Sequence, residues 1–261
     1  MNVMKKMTLP KLLNILLPIL FGILFLYVWE KNGLHYLMGL KKYQLPVPSQ
    51  IAKALADNKT QLLSNARYTT AEALIGLIIG SLIGFFTAVM ATVFPKWGYG
   101  GLTVLSAFNA VPIVALSPVM NNWFGMGMGS KIAVVVVTAM AAMAFNAYRG
   151  LNDLKPFSLD LMASYAATRR EVFFLLRLPN SIPNILTALK ISTTSSMIAA
   201  IVSEFFASYA GIGFELSNAL KTAKMPLAWA YITVAAIIGI ALHFIVSLVE
   251  TYALKWHVSQ K

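Results

Sequence analysis

The feature that most constrains this chain is the recurrence of apolar runs long enough to cross a lipid bilayer. A helix needs about 20 apolar residues to span the hydrocarbon core. Of the 261 residues, 58% are hydrophobic and 11% are charged, which leaves too little polar surface to coat a water-soluble globule. The sequence predicts an all-α integral membrane protein in a single domain, residues 1–261, with six transmembrane helices: 12–29, 66–94, 103–121, 131–149, 187–207 and 227–253.

One long polar segment, 151–183, interrupts the apolar runs and carries Lys155, Arg169, Arg170 and Arg177. Basic residues close to membrane spans stay on the cytoplasmic side. Alternation of the six spans then places both termini in the cytoplasm as well. Alanines and leucines at helical spacing, followed by Leu-Pro and Ile-Pro pairs, predict short helices that end in a turn. A structured cytoplasmic loop indicates a soluble partner.

Composition argues against several classes of function. The net charge of +12 comes mostly from residues at the ends of apolar runs, so it indicates membrane orientation rather than nucleic-acid binding. The absence of cysteine excludes disulfides and thiolate metal sites, and the three scattered histidines have no metal-site spacing. No glycine loop of the Walker type is present, so the chain itself is not expected to hydrolyse ATP or to act as an enzyme.

The third predicted span contains two helix-breaking prolines, Pro112 and Pro118, followed by Asn121 and Asn122. Proline removes a backbone donor and disturbs the preceding turn. Broken backbone at membrane depth is tolerated where it is buried in protein or lines a watery cavity. These residues therefore suggest a gate on a translocation path, with simple helix kinks as the alternative.

Glu204 is an acid within the otherwise apolar fifth span. A charge at the centre of a spanning helix costs about 2.5–3.5 kcal/mol, and less near its end. Two interpretations are open for Glu204. It lies near the headgroups or pairs with Arg67, or it braces the translocation path. Glu72, in the outer turn of the second span, raises the same question.

Two further patterns leave alternatives open. Gly76, Gly80 and Gly84 form a stripe of small residues along the second span, which favours close helix packing either within one subunit or between subunits. Residues 49–65 have apolar residues at helical spacing, which predicts either a helix along the outer interface or a solvated loop.

Several motifs occur together in a known order. With Leu178-Pro179 as the anchor, Asp160 falls where a known cytoplasmic signature has Glu, Leu161 and Met162 where it has alanines, and Ala166 where it has Gly. Further matching stretches are 45–49, 111–118, the Trp-Phe-Gly turn within 122–127, 202–204 and 211–213. Over roughly residues 45–256 the chain resembles the permease subunits of binding-protein-dependent ATP-binding-cassette (ABC) importers, in the branch that includes sulfonate, taurine and nitrate permeases. Alanine in place of glycine leaves the shape of the turn open.

This resemblance implies a type I (MetI-like) importer fold with cytoplasmic coupling helices in the cell membrane. It also implies a second permease copy, expected as a homodimer, an ABC ATPase dimer below, and an extracytoplasmic substrate-binding protein. ATP and Mg belong to the partner ATPase, and no cofactor is expected on this chain. The residues it implies for the ATPase-coupling loop are Asp160, Leu161, Met162, Ala163, Tyr165, Ala166, Thr168, Arg169, Arg170, Leu178 and Pro179.

Two other classes compete with the importer subunit. An ion-coupled secondary transporter is also polytopic with broken helices, but it usually needs acids near the midplane and often has repeated halves. A membrane-bound lipid-modifying enzyme would be expected to cluster His, Asp or Cys at the interface. The substrate stays open among sulfonates, nitrate, taurine and vitamin precursors.

Overall fold

The computed structural model describes residues 9–255, and the regular structure in this range is helical. The first six helices are α1 (Leu9–Glu30), α2 (Gly33–Met38), α3 (Pro48–Asp57), α4 (Lys59–Val93), α5 (Pro95–Asn109) and α6 (Ile113–Phe124). They are followed by α7 (Met128–Asn152), α8 (Ser158–Ser164), α9 (Arg169–Glu171), a π-helical segment (Val172–Arg177), α10 (Leu178–Phe206), α11 (Ile212–Lys221) and α12 (Met225–Ala253).

The all-α membrane class is confirmed, whereas the count of six spans stays a prediction. Within the described range, four helices are long and apolar enough to cross a membrane: α4, α7, the continuous helix Arg169–Phe206, and α12. The third predicted span is a pair of shorter helices bent by 103°, Gly98–Phe108 and Ile113–Phe124. At the first predicted span, α1 contains the apolar stretch Leu16–Glu30, which is shorter than the other candidates. The terminal residues 1–8 and 256–261, which bear on the placement of the termini, lie outside the described residues.

The chain divides into two compact units, and the smaller contains the residues up to Lys59 together with Ala219–Ala230. Within this unit the Glu30 carboxylate accepts hydrogen bonds from the Ser49 N–H (3.0 Å) and hydroxyl (2.7 Å). The rings of Trp29 and Trp229 meet edge to face with centroids 5.6 Å apart. The predicted interfacial segment 49–65 is helical except at Asn58, because it covers α3 after its first residue and the beginning of α4.

The larger unit contains Thr60–Asn218 and the chain from Tyr231 onward. Its core includes fully buried Val134 and Ala144 of α7 and Ala199 and Ala200 of α10. Such small side chains let spanning helices approach closely and pack by van der Waals contact.

The glycine stripe of α4 packs within the subunit. A Cβ added at Gly80 would lie 2.7 Å from the backbone oxygen of Val136 in α7, and Gly76 and Gly84 face α7 in the same way. A real Cβ does not fit at that distance, so the glycines are needed for the close approach of α4 to α7. Of the two alternatives for this stripe, the structure has the intrasubunit one.

The predicted turn at the Leu-Pro and Ile-Pro pairs is wrong. Pro179 lies in the first turn of α10 and Pro183 lies inside it. The π-helical segment ends just before Pro179, where the Leu178 N–H bonds to the Phe173 oxygen. In the π-helical segment the backbone N–H groups bond to the oxygen five residues earlier instead of four. The bonding pattern therefore shifts just before Pro179, which has no N–H to donate, and the helix continues through the proline.

Candidate functional site

The first candidate site is the exposed loop, which we define as residues 153–171 and which contains α8 and α9. No residue of α8 is buried. Leu161 is 57% exposed and Tyr165, which follows the helix, is 76% exposed. Residues four apart lie on the same face of a helix. The exposed loop therefore presents an apolar face, with Asp160 exposed in the first turn of α8.

A tight turn closes the end of α8. The Ala166 N–H bonds to the Ala163 oxygen (2.9 Å) and the Ala167 N–H to the Met162 oxygen (3.0 Å), the paired bonds of a Schellman motif. Ala166 has a φ of +51°, in the left-handed region that glycine normally fills. The turn thus keeps the shape that a glycine allows, although alanine bears a cost of about 1–2 kcal/mol there.

The next helix begins with a capping box at Thr168 and Glu171. The Glu171 N–H donates to Thr168 Oγ1 (3.3 Å), and the Thr168 N–H donates to Glu171 Oε2 (2.7 Å). Arg169 and Arg170 between them are exposed. The end of α8 and the start of α9 therefore have defined caps.

The base of the exposed loop is tied to the end of α7. Arg177 Nη1 donates to the Leu151 oxygen (3.0 Å) and to Asn152 Oδ1 (2.8 Å). Asn180 Nδ2 donates to the oxygens of Gly150 and Asp153, both at 2.9 Å. Leu178 and Pro179 are half-buried beside these bonds. These bonds hold the start of the helix Arg169–Phe206 against the end of α7.

The second candidate site is a buried polar cluster around Glu204, near the end of α10. Glu204 has no exposed surface. Its Oε1 accepts from the Thr69 hydroxyl (2.7 Å), and its Oε2 accepts from the Gly213 N–H (2.7 Å). Glu204 is therefore enclosed by protein, and its described hydrogen-bond donors are Thr69 and Gly213 rather than Arg67.

These bonds fasten the segment between α10 and α11 to α4. The Ile212 N–H donates to Thr69 Oγ1 (2.8 Å), and the Gly211 N–H donates to Asn65 Oδ1 (3.0 Å). Gly211 has a φ of +103°, and a side chain there would meet the Glu204 carboxylate. Glycine is thus required where the chain turns around this acid.

The cluster contains two more fully buried ionisable groups, Lys131 and Glu72. Lys131 Nζ donates to Asn121 Oδ1 (2.9 Å), the Met126 oxygen (2.9 Å) and Ser130 Oγ (3.1 Å). Neither Glu72 oxygen accepts a bond from a donor in the described part of the chain, but the two carboxyl groups of Glu72 and Glu204 lie within hydrogen-bond reach of each other, and Lys131 is within electrostatic range. The ammonium group offsets part of the negative charge there.

The structure brings together only some of the residues predicted for the gate. Asn121 joins the cluster through Lys131, whereas Pro112, Pro118 and Asn122 are exposed. Pro112 precedes α6 with extended backbone, and Pro118 lies within α6. The Ser117 hydroxyl of α6 donates to the Ser203 oxygen of α10 (3.2 Å), next to Glu204.

Sequence reasoning missed Lys131, Thr69 and Asn65. Lys131 is the first residue of the fourth predicted span, where a lysine indicates the end of a span rather than a buried site. The sequence signal that could indicate a buried Lys131 is its position as a lone lysine after a glycine-rich turn. No signal in the sequence pairs Thr69 with an acid 135 residues away.

A sequence model of the family "Binding-protein-dependent transport system inner membrane component" matches residues 76–255. The formylaminopyrimidine transport permease protein of Halalkalibacterium halodurans is 26% identical over 93% of this chain and 96% of its own length. The taurine transport system permease protein of Escherichia coli is 27% identical over 72% of this chain and 65% of its own length.

Solved structures share the fold. An inward-facing conformation of the MetNI methionine ABC transporter matches with a TM-score of 0.67 at 15% identity, covering 74% of this chain and 96% of that chain. An amino acid ABC transporter with histidines matches with a TM-score of 0.63 at 19% identity, covering 76% of this chain and 96% of that chain. The family match covers more than half of the residues, so this chain belongs to the inner membrane components of binding-protein-dependent transport systems.

Proposed function

We propose that this family member forms the translocation pathway of an ATP-driven importer for a small solute. The observation that carries the proposal is the exposed loop, because α8 ends in a hydrogen-bonded turn, the loop has a fixed base, and the apolar face of α8 has no partner within the described chain. An apolar face on a rigid projection suits docking into the groove of a soluble subunit. Family membership supports an ATPase as that subunit.

The proposed assembly contains two copies of this chain, an ABC ATPase dimer and an extracytoplasmic binding protein. ATP and Mg are bound and used by the ATPase, so catalysis is assigned to the partner. Both termini and the exposed loop face the cytoplasm. Relatives are described as permeases for formylaminopyrimidine, taurine and nitrate. These names support a substrate within the sulfonate, nitrate, taurine and vitamin-precursor range.

The continuous helix Arg169–Phe206 supplies the proposed mechanical link. It begins in the exposed loop and ends beside Glu204, about 50 Å away at 1.5 Å per residue. Closure of the ATPases would move α8, and the fixed base would pass that movement along the helix. The residues proposed to respond as the gate are Pro112, Pro118, Asn121, Asn122 and Glu204.

The test is co-purification of the tagged chain from its native membrane in mild detergent. The proposal expects an ATPase with a Walker A motif at near-equal amount. The double substitution Leu161→Asp with Tyr165→Asp puts charges on the apolar face of α8 and should abolish co-purification of the ATPase. The matched exposed variant Leu63→Asp should still co-purify with it. Recovery of the chain without any ATPase would contradict the proposal.

Uptake into cells separates this function from an ion-coupled secondary transporter. ATP depletion should stop import, and an ionophore that collapses ion gradients should leave it in place while ATP is maintained. Import that survives ATP depletion and fails with the ionophore would favour the secondary transporter.

A further inference from the structure

Beside the exposed loop, a cavity of about 610 Å³ lies between the end of α4 with the first residue of α5 and the start of the helix Arg169–Phe206. Three arginines line it: Arg169, Arg170 and Arg177. We propose that this cavity, here called the arginine pocket, binds the phosphate headgroup of an anionic phospholipid from the adjoining leaflet. That this leaflet is the cytoplasmic one rests on the proposed function.

The charge in the arginine pocket is uncompensated by acids. No aspartate or glutamate is among its described lining residues. Glu171, the neighbouring acid in sequence, is bonded to Thr168 instead. Arg177 uses only Nη1 in its bonds to α7, which leaves Nε and Nη2 for a ligand. Guanidinium groups bind phosphate oxygens through paired hydrogen bonds.

The opposite wall of the arginine pocket is apolar. Val89 and Val93 of α4 form it. Phe173 and Phe174, on the same helix as the arginines, add further apolar lining, and Val93 and Phe174 are exposed at the edge of the pocket. These residues belong to, or adjoin, helices long enough to span the membrane. Acyl chains can therefore lie along α4 while the headgroup reaches the arginines. Basic pockets between spanning helices are a known setting for anionic lipid headgroups.

This combination favours a lipid over a soluble anion or a protein surface. A free phosphate would use the arginines but gain nothing from the valines and phenylalanines. An acidic protein surface would contact exposed Arg169 and Arg170, but it would not enter a cavity walled by the end of a membrane span. Only an amphipathic ligand uses both walls.

The experiment is native mass spectrometry of the purified full chain with equal amounts of phosphatidylglycerol and phosphatidylcholine that carry the same acyl chains. Phosphatidylglycerol should be retained in preference to phosphatidylcholine. Arg169→Gln with Arg170→Gln should lower that preference, by about fivefold for each arginine. The matched control is Arg149→Gln with Lys155→Gln, which removes two exposed charges outside the pocket and should leave the preference unchanged.

A second variant, Val93→Trp, fills the arginine pocket without changing its charge. It should reduce phosphatidylglycerol retention while the thermal midpoint of the chain stays close to wild type. Equal retention of the two lipids, or an unchanged preference in both pocket variants, would overturn the proposal. Displacement of phosphatidylglycerol by millimolar inorganic phosphate would identify a soluble anion instead. Because the chain is measured alone, failure of ATPase binding does not affect this result.

Discussion

In the buried cluster, Glu204, Thr69 and Lys131 have no exposed surface, and one bond joins residues 135 positions apart. In the exposed loop, the bonds that shape α8 and α9 join residues three to five positions apart, and the apolar side chains point outward. The cluster is stabilised by long-range tertiary contacts, whereas the exposed loop is shaped locally. Substitutions in the cluster are therefore expected to change the stability of the fold, and substitutions on the exposed face of α8 are expected to change binding of the partner.

The largest effect on stability is expected from Glu204→Ala. The change leaves the buried Gly213 N–H without its acceptor, at about 1–3 kcal/mol of unfolding free energy. It also removes the bond from the Thr69 hydroxyl, which keeps only the Asn65 oxygen, at about 1 kcal/mol more. Thermal unfolding of the purified chain in detergent measures it. Glu204→Gln keeps one acceptor oxygen and should lose less. A wild-type midpoint for Glu204→Ala would mean that the cluster does not hold the fold.

A smaller loss is expected from Lys131→Met, which removes three hydrogen bonds but keeps the length of the side chain. Unpaired oxygens of Asn121 and Met126 should cost about 1–3 kcal/mol. The exposed substitution Lys96→Met is the matched control and should be neutral.

Thermal unfolding of a double-mutant cycle isolates the electrostatic interaction between Lys131 and Glu72 in the cluster. Glu72→Gln removes a buried acid near Lys131, so the two changes should couple by at least about 0.5 kcal/mol. Strict additivity would show that Lys131 acts through its hydrogen bonds alone.

In the exposed loop, Ala166→Gly should stabilise the turn by about 1 kcal/mol, because glycine adopts a positive φ without the clash of a Cβ. Limited proteolysis at residues 153–171 should slow down. Ala163→Gly, inside α8, is the control and should have the opposite sign, since glycine weakens a helix. Faster cleavage in Ala166→Gly would mean that the left-handed turn is not the populated form.

The smallest effect on stability is expected from Leu161→Asp with Tyr165→Asp. Both side chains are more than half exposed, so the unfolding free energy should change by less than about 0.5 kcal/mol. ATPase recovery should nevertheless fall. A large drop in thermal midpoint would show that α8 packs on its own chain, which would remove the difference between the two regions.

The two regions also differ in how far the sequence predicts them. The long apolar runs identify α4, α7 and α12 because length and hydropathy are direct signals of a span. The family resemblance placed a turn at Ala166 but left its shape open, and the structure has the left-handed form with a φ of +51°. The partners of Glu204 and the burial of Lys131 depend on tertiary contacts, which a single sequence does not contain. The turn predicted at Leu178-Pro179 failed because the π-helical segment lets the helix continue.

The docking of α8 can be tested directly because the chain has no cysteine, so one introduced thiol is unique in it. Leu161→Cys lies on the exposed face of α8. The control, Leu63→Cys, is also about half exposed and lies near the start of α4, at the end of that helix away from the arginine pocket. Both variants are treated with a short thiol-to-amine cross-linker in native membranes. The account predicts a covalent product with the ATPase from Leu161→Cys and none from Leu63→Cys. An ATPase product from Leu63→Cys alone, or from neither position in an assembled complex, would contradict it.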